Sequence, residues 1–255
     1  MNFNRKVILI TGASTGIGKE LSILLAKEDC SLVLIARRGN LLKELEEELK
    51  ELNKNILTIT CDVSNPGEVK TAIDKTKNRF GRIDIAILNA AIGCKTSIEE
   101  FETTKAKNVF DINVFGILNF VEELGPDFIK RKEGMIVGVS SLADSKGWKG
   151  SGFYCASKAA VSILLDNLRL ELKVHNVKVI TVKPGFVETP MTSKNKFDMP
   201  FLMSAEKAAG IIYKGIQKKK RIIQFPLPTV LAYKLSRIVP DFLIEYFSEN
   251  ESSKK

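Results

Sequence analysis

Val7-Ile8-Leu9-Ile10-Thr11-Gly12-Ala13-Ser14-Thr15-Gly16-Ile17-Gly18, near the start of the chain, decides its architecture. The unbroken aliphatic run at 7–10 reads as a strand buried on both faces, the pattern of a parallel sheet. Glycines at 12, 16 and 18 follow at once, and Lys19-Glu20-Leu21-Ser22-Ile23-Leu24-Leu25-Ala26 then spaces its apolar residues as a helix does. A strand, a glycine turn and a helix start form an anion site. Backbone N–H groups and the helix dipole face a phosphate, and glycines let the main chain approach it closely. In this context Gly12, Ser14, Thr15, Gly16, Ile17 and Gly18 read as a dinucleotide-binding turn rather than a plain loop.

Working outward, strand and helix patterns alternate along the whole chain, which implies a doubly wound parallel sheet. Strands are expected at 6–11, 31–36, 56–60, 83–88, 134–140, 177–183 and 221–225, and helices at 16–27, 40–53, 65–79, 103–131, 152–175 and 205–219. With no internal repeat or linker, the 255 residues make one domain, 1–255, large enough to bury a substantial core.

A second constellation carries chemistry: Ser141, then Tyr154-Cys155-Ala156-Ser157-Lys158. Tyrosine and lysine four apart share one helix face, so a phenol and an ammonium can meet in one cavity. A free phenol titrates near pH 10, too high for useful proton exchange at neutrality, and a nearby cation favours the phenolate. Serine adds a neutral hydrogen bond for a carbonyl or alkoxide oxygen.

Together, the glycine spacing and the Ser-Tyr-Lys triplet resemble the short-chain dehydrogenase/reductase family. Asp62-Val63, Asn89-Ala90-Ala91, Asn113 and Pro184-Gly185-x-x-x-Thr189 follow that family's order. The resemblance extends from about residue 7 to 189 and more weakly to the C-terminus. It implies a Rossmann-like sheet of order 3-2-1-4-5-6-7, with a cofactor lying across the strand carboxyl ends. It also implies roles. Tyr154 exchanges a proton with the substrate oxygen, Lys158 lowers the tyrosine pKa and binds the nicotinamide ribose, and Ser141 positions the substrate. Asn113 holds a water that extends the proton relay. Asp62 and Val63 bracket the adenine, Asn89 and Ala90 lie along the adenosine ribose, and Pro184, Gly185, Val187 and Thr189 hold the carboxamide. Departures from the family pattern are Leu88-Asn89-Ala90-Ala91 in place of Asn-Asn-Ala-Gly, and Asp144 where the resemblance implies glycine, which bears on the substrate-side loop.

The cofactor choice turns on the end of the second strand, where Ala36-Arg37-Arg38 replaces the acid of an NAD site. A guanidinium suits a 2′-phosphate, so NADP(H) is expected over NAD(H), with Arg37 in the lead, Arg38 beside it and Ser14 adding a hydroxyl.

Composition excludes other classes. The net charge of +9 comes from clusters such as Lys130-Arg131-Lys132 and Lys218-Lys219-Lys220-Arg221. These close helices, where cations complement the dipole, and no aromatic residues interleave with them, so no nucleic acid is expected. Contact with an anionic membrane or an acidic carrier remains open. The single histidine, His175, and four cysteines without C-x-x-C spacing suggest no metal site and a reducing, cytoplasmic setting. No run approaches the length of a membrane span.

The segment 186–204, with Met191, Phe197, Met199, Phe201, Leu202 and Met203, is expected to form an apolar substrate lid, with Trp148 and Phe153 as further walls. A tail at 226–248 adds Leu231, Tyr233, Leu235, Ile238, Val239, Phe242, Leu243, Ile244, Tyr246 and Phe247. It closes the pocket, joins subunits or rests on a membrane, and the residues leave all three open. Helices at 103–131 and 152–175 are expected to form a homodimer or homotetramer interface, with the faces of Phe110, Val114, Leu118, Val161, Leu165 and Leu168 supplying apolar area, part of which must serve the core. The function expected is reduction of an apolar ketone, or oxidation of the matching secondary alcohol. The alternatives are a 3-oxoacyl-carrier-protein reductase and a nucleotide-sensing or membrane-docking protein without catalysis.

Overall fold

A computed structural model describes residues 1–195, 197–236 and 239. Seven strands form one parallel sheet in the order β3-β2-β1-β4-β5-β6-β7. They are β1 (Val7–Thr11), β2 (Ser31–Ala36), β3 (Ile56–Thr60), β4 (Ile85–Leu88), β5 (Gly134–Val139), β6 (Val177–Pro184) and β7 (Ile222–Phe225). Side chains alternate across the sheet, so Ile8 and Ile10 join one core while Val7 and Leu9 join the other. The first core is closed by α1 (Gly16–Ala26), α2 (Gly39–Leu49) and α7 (Ala205–Gln217). The second lies under α3 (Pro66–Phe80), α5 (Gly116–Arg131) and α6 (Gly152–Glu171). Strand order reverses between β1 and β4, and there the carboxyl ends open a crevice.

Three features depart from the expected elements. The long helix at 103–131 is divided into α4 (Thr103–Phe110), a π-helical segment (Asp111–Phe115) and α5, and Asn113 sits in the widened turn. Such insertions cluster at functional sites. The helix expected to 175 ends at Glu171 and continues as a 3₁₀ turn (Leu172–His175). In the tail an additional helix, α8 (Leu227–Ser236), packs against β7 and the turn after β5. The tail residues Ile238, Phe242, Leu243, Ile244, Tyr246 and Phe247 lie outside the described residues.

The expected subunit faces also need revision. Val114, Val161 and Leu165 are core residues, and Phe110, Leu118 and Leu168 pack against that core. The large apolar side chains exposed on these elements are Phe115, Ile129, Ile163, Leu170 and Val174. A period of 3.6 identifies an apolar face without saying which of two such faces meets the sheet. Among the described residues, no helix is long and apolar enough to cross a membrane.

Candidate active site

The glycine turn is built for close approach. Gly12 and Gly16 hold φ of +65° and +58°, the left-handed region that a side chain strains. A Cβ on Gly12 would stand 2.9 Å from the Cα of Ala90, and one on Gly18 would stand 2.2 Å from the carbonyl oxygen of Gly12. The two halves of the switch point therefore touch through bare backbone. No side chain caps α1 and no acid stands in its first turn, so its N–H groups face the crevice. That cradle fits a pyrophosphate.

Thr11, which the sequence reading passed over, ties the crevice together. Its hydroxyl accepts from the backbone N–H of Asn89 and of Ala90, each at 3.0 Å. Asn89 returns a bond from Nδ2 to the Thr11 carbonyl at 3.1 Å, so its side chain braces β1 against β4. Its position directly before the first glycine was the available signal.

The arginines divide their work. Arg38 Nη2 donates to Ser14 Oγ at 3.0 Å and to Thr15 Oγ1 at 2.8 Å, laying a guanidinium over the turn. Arg37 Nη1 instead stands 3.6 Å from Asp62 Oδ2. Partial burial opposes ionisation of Asp62, but hydrogen bonds from the Ser64 hydroxyl and N–H, with the Arg37 charge, hold its carboxyl below the usual range. Val63 packs on Gly116, where a Cβ would meet it at 2.7 Å, and its carbonyl accepts from Asn119 Nδ2 at 2.8 Å.

Ser141, Tyr154, Lys158 and Asn113 converge at the ends of β5 and β6. Ser141 follows β5, and its hydroxyl accepts from Ala143 N–H at 3.1 Å and reaches the Pro184 carbonyl at 3.4 Å. It also hydrogen-bonds the Tyr154 phenol. Lys158, one turn along α6, puts its ammonium 5.8 Å from the centre of the Tyr154 ring and donates to the Val139 carbonyl at 2.9 Å. Burial raises the phenol above its ordinary range, with the Ser141 bond acting against it, and burial pulls the Lys158 ammonium down to about 8. Thus the lowering influence on the phenol here is Ser141. Helical spacing foresees the shared face, but not that burial opposes charge on both groups.

Asn113 is wholly buried and its side chain is engaged on both ends. Oδ1 accepts from Ile92 N–H at 2.8 Å, while Nδ2 donates to the Ile92 carbonyl and to Ser157 Oγ, each at 3.0 Å. Ser157 passes the contact to the Tyr154 carbonyl at 2.7 Å. The side chain therefore braces α6 against the segment after β4.

The segment 186–204 leaves and rejoins the body at one place. Val187 pairs with Met203, Glu188 N–H donates to the Met203 carbonyl at 2.8 Å, and Met203 N–H donates to Phe186 at 3.1 Å. Thr189 lies against the glycine turn, its Cγ2 2.8 Å from where a Gly16 Cβ would stand. Met191, Phe197, Phe201 and Leu202 are exposed, while Met203 is buried. Trp148 packs at a tilt against Tyr233 of α8 with ring centres 5.6 Å apart, and Phe153 meets Phe101 edge-on at 5.0 Å. Burial pushes the Tyr233 phenol up to about 12, and it feels the charges of Cys155, Tyr154 and Asp144. The tail thus reaches the end of the molecule that carries Ser141 and Tyr154.

A doubly wound sheet, a glycine cradle at its switch point and a serine–tyrosine–lysine cluster beside it define a dinucleotide-dependent oxidoreductase acting on alcohol and carbonyl groups. Residues 6–199 match the short chain dehydrogenase family, and the chain belongs to that family. It is 30% identical over 240 residues to an uncharacterized oxidoreductase of Myxococcus xanthus, covering 94% of this chain and 95% of that one. It is 33% identical over 264 residues to 11-beta-hydroxysteroid dehydrogenase 1A of Arabidopsis thaliana, covering 96% of this chain and 75% of that protein. Its fold superposes on a short chain dehydrogenase/reductase from Burkholderia phymatum, solved in complex with NAD, with a TM-score of 0.85 at 23% identity over 96% of each chain.

Proposed function

We propose that this chain reduces the ketone of an apolar substrate, or oxidises the matching secondary alcohol, using NADP(H) and the residues Asn113, Ser141, Tyr154 and Lys158. The observation that carries this reading is the Ser141–Tyr154 hydrogen bond with the Lys158 ammonium on the same helix face. Two hydroxyls then address one substrate oxygen. Tyr154 donates its proton to that oxygen, and Ser141, lightly held at 3.4 Å from Pro184, turns to donate its own hydrogen bond. Lys158 stabilises the phenolate left behind. The nicotinamide, when bound, supplies the hydride to the carbonyl carbon. Arg38, Ser14 and Thr15 offer the 2′-phosphate a charged fork between two hydroxyls, which favours NADP(H) over NAD(H).

The apolar side chains of 186–204 and the Trp148–Tyr233 pair support a bulky apolar substrate, as do relatives named as hydroxysteroid dehydrogenases. The test is a panel of 2-butanone, 2-octanone, 2-dodecanone, a ketosteroid and a carrier-bound 3-oxoacyl group, followed by loss of NADPH absorbance. Each added methylene is worth up to about 0.8 kcal/mol, so kcat/KM should rise several-fold per CH₂ until the pocket fills. Phe201→Ser should flatten that trend and leave 2-butanone unaffected. A small polar sugar derivative as the best substrate would overturn the reading, and preference for the carrier-bound group would replace it.

The same reading includes a homodimer or homotetramer. Phe115, Ile163 and Leu170 present outward apolar area on the helices beside the site. Light scattering at micromolar concentration should return a multiple of the 28.3 kDa chain mass, and a monomer would refute it.

A further inference from the structure

The Asp144 side chain is partly buried, 9% exposed. It lies in the 3₁₀ turn (Leu142–Asp144) that Ser141 begins, and its own N–H donates to the Ser141 carbonyl at 3.3 Å. Lys183 Nζ of β6 stands 2.6 Å from Asp144 Oδ2. The next residue of β6, Pro184, provides the carbonyl that Ser141 Oγ reaches. Two contacts therefore join the same two segments side by side: Asp144 to Lys183, and Ser141 to Pro184.

The carboxylate also accepts from Ser162 of α6. Ser162 Oγ lies 2.8 Å from Ser140 Oγ, and Ser140 Oγ donates to the Lys158 carbonyl at 2.8 Å. One partly buried charge thus joins the turn that Ser141 begins to the strand behind it and to the helix carrying Tyr154 and Lys158. A glycine there could make none of these contacts.

We propose that Asp144 and Lys183 form a positioning pair that holds the Ser141 hydroxyl in register with the Tyr154 phenol. The proposal rests on the ketone-reductase reading for its kinetic arm only. Misplacing a reacting group by about 1 Å can cost on the order of 10²-fold in rate, so a loosened Ser141 should lower kcat while cofactor binding stays intact. A partly buried ion pair that merely stabilised the fold would change melting temperature alone.

A pH readout separates positioning from direct electrostatics by sign. The Tyr154 phenol is faced by Ser141 from the turn, by Cys155 and Lys158 from its own helix, and by Tyr233 from α8. The Ser141 bond lowers the phenol pKa, so losing that bond moves it up. Removing the negative charge of Asp144, which acts on the neighbouring Tyr233 phenol, can move a phenol pKa through space only in the opposite sense, down. Asp144→Asn keeps an acceptor for Ser162 and drops the charge, so the direction of the shift decides.

The experiment compares Asp144→Asn, Lys183→Met and Lys183→Arg in the full chain. It measures kcat and KM for the fastest ketone of the panel, the Kd for NADPH, and the phenol titration, taken as the absorbance difference from the same variant carrying Tyr154→Phe. Asp144→Asn and Lys183→Met should lower kcat about 10- to 100-fold with NADPH Kd within twofold, and Asp144→Asn should move the titration up. Lys183→Arg should retain at least half the parental kcat. A downward or absent shift in Asp144→Asn, a kcat within twofold of the parent, or equal damage from Arg and Met at 183 would overturn the pair. If Asp144→Asn fails to fold, Asp144→Gly is measured against the same outcomes. If no ketone is reduced, the reductase reading fails, and the titration still decides on the pair.

Discussion

Tyr154→Phe should lower ketone turnover by about 10² to 10⁴, the usual range for a lost general acid, while NADPH still binds. The substitution deletes one hydroxyl and keeps the ring, so packing around α6 is preserved. Ser141 loses its partner on one side but keeps the Ala143 N–H and the Pro184 carbonyl. The Lys158 ammonium keeps its bond to Val139. The defect should therefore appear in kcat, with melting temperature and NADPH Kd near parental values. Turnover close to that of the parent would remove Tyr154 from the proton-donor role.

The second large effect concerns the cofactor. Arg38→Ala should weaken NADPH about 10- to 150-fold, since a charge-assisted hydrogen bond contributes roughly 1.5–3 kcal/mol. NADH, without the 2′-phosphate, should bind nearly as before. Arg37→Ala should have the smaller effect, because that guanidinium already faces Asp62 at 3.6 Å. Titration of both cofactors against both variants checks this. Equal weakening of NADPH and NADH by Arg38→Ala would mean that Arg38 braces the glycine turn and the 2′-phosphate is read elsewhere.

The sequence reading puts Arg37 ahead of Arg38, whereas it is Arg38 that lies over the glycine turn. Adjacent residues at a strand end point in different directions, and which one covers the glycine turn depends on the path into α2, a three-dimensional fact. The strands were more legible, because a strand buried on both faces has nearly continuous aliphatic character. Each of the seven falls within two residues of its expected bounds. The proximity of Ser141, Tyr154 and Lys158 was legible for a related reason: Tyr154 and Lys158 are linked by helical period, and Ser141 by the end of a buried strand. The π-helical turn at Asn113 left no comparable mark, since one extra residue in a turn barely disturbs an apolar repeat. Asp144 and Lys183 were invisible as a pair. They meet only because β5 and β6 are neighbours, and a lone aspartate or lysine in a loop carries no periodic signal.

The stitch between Val187 and Met203 has a consequence for how such an enzyme diversifies. The residues between those two points form a closed excursion, entering and leaving the body at one seam, so their length and composition can drift without moving the strands beneath. The residues proposed to move the proton, Ser141 after β5 and Tyr154 and Lys158 on α6, all precede this excursion. On the proposed reading, a lineage could exchange its clientele by rewriting one contiguous stretch of its gene while the reaction is inherited unchanged on another.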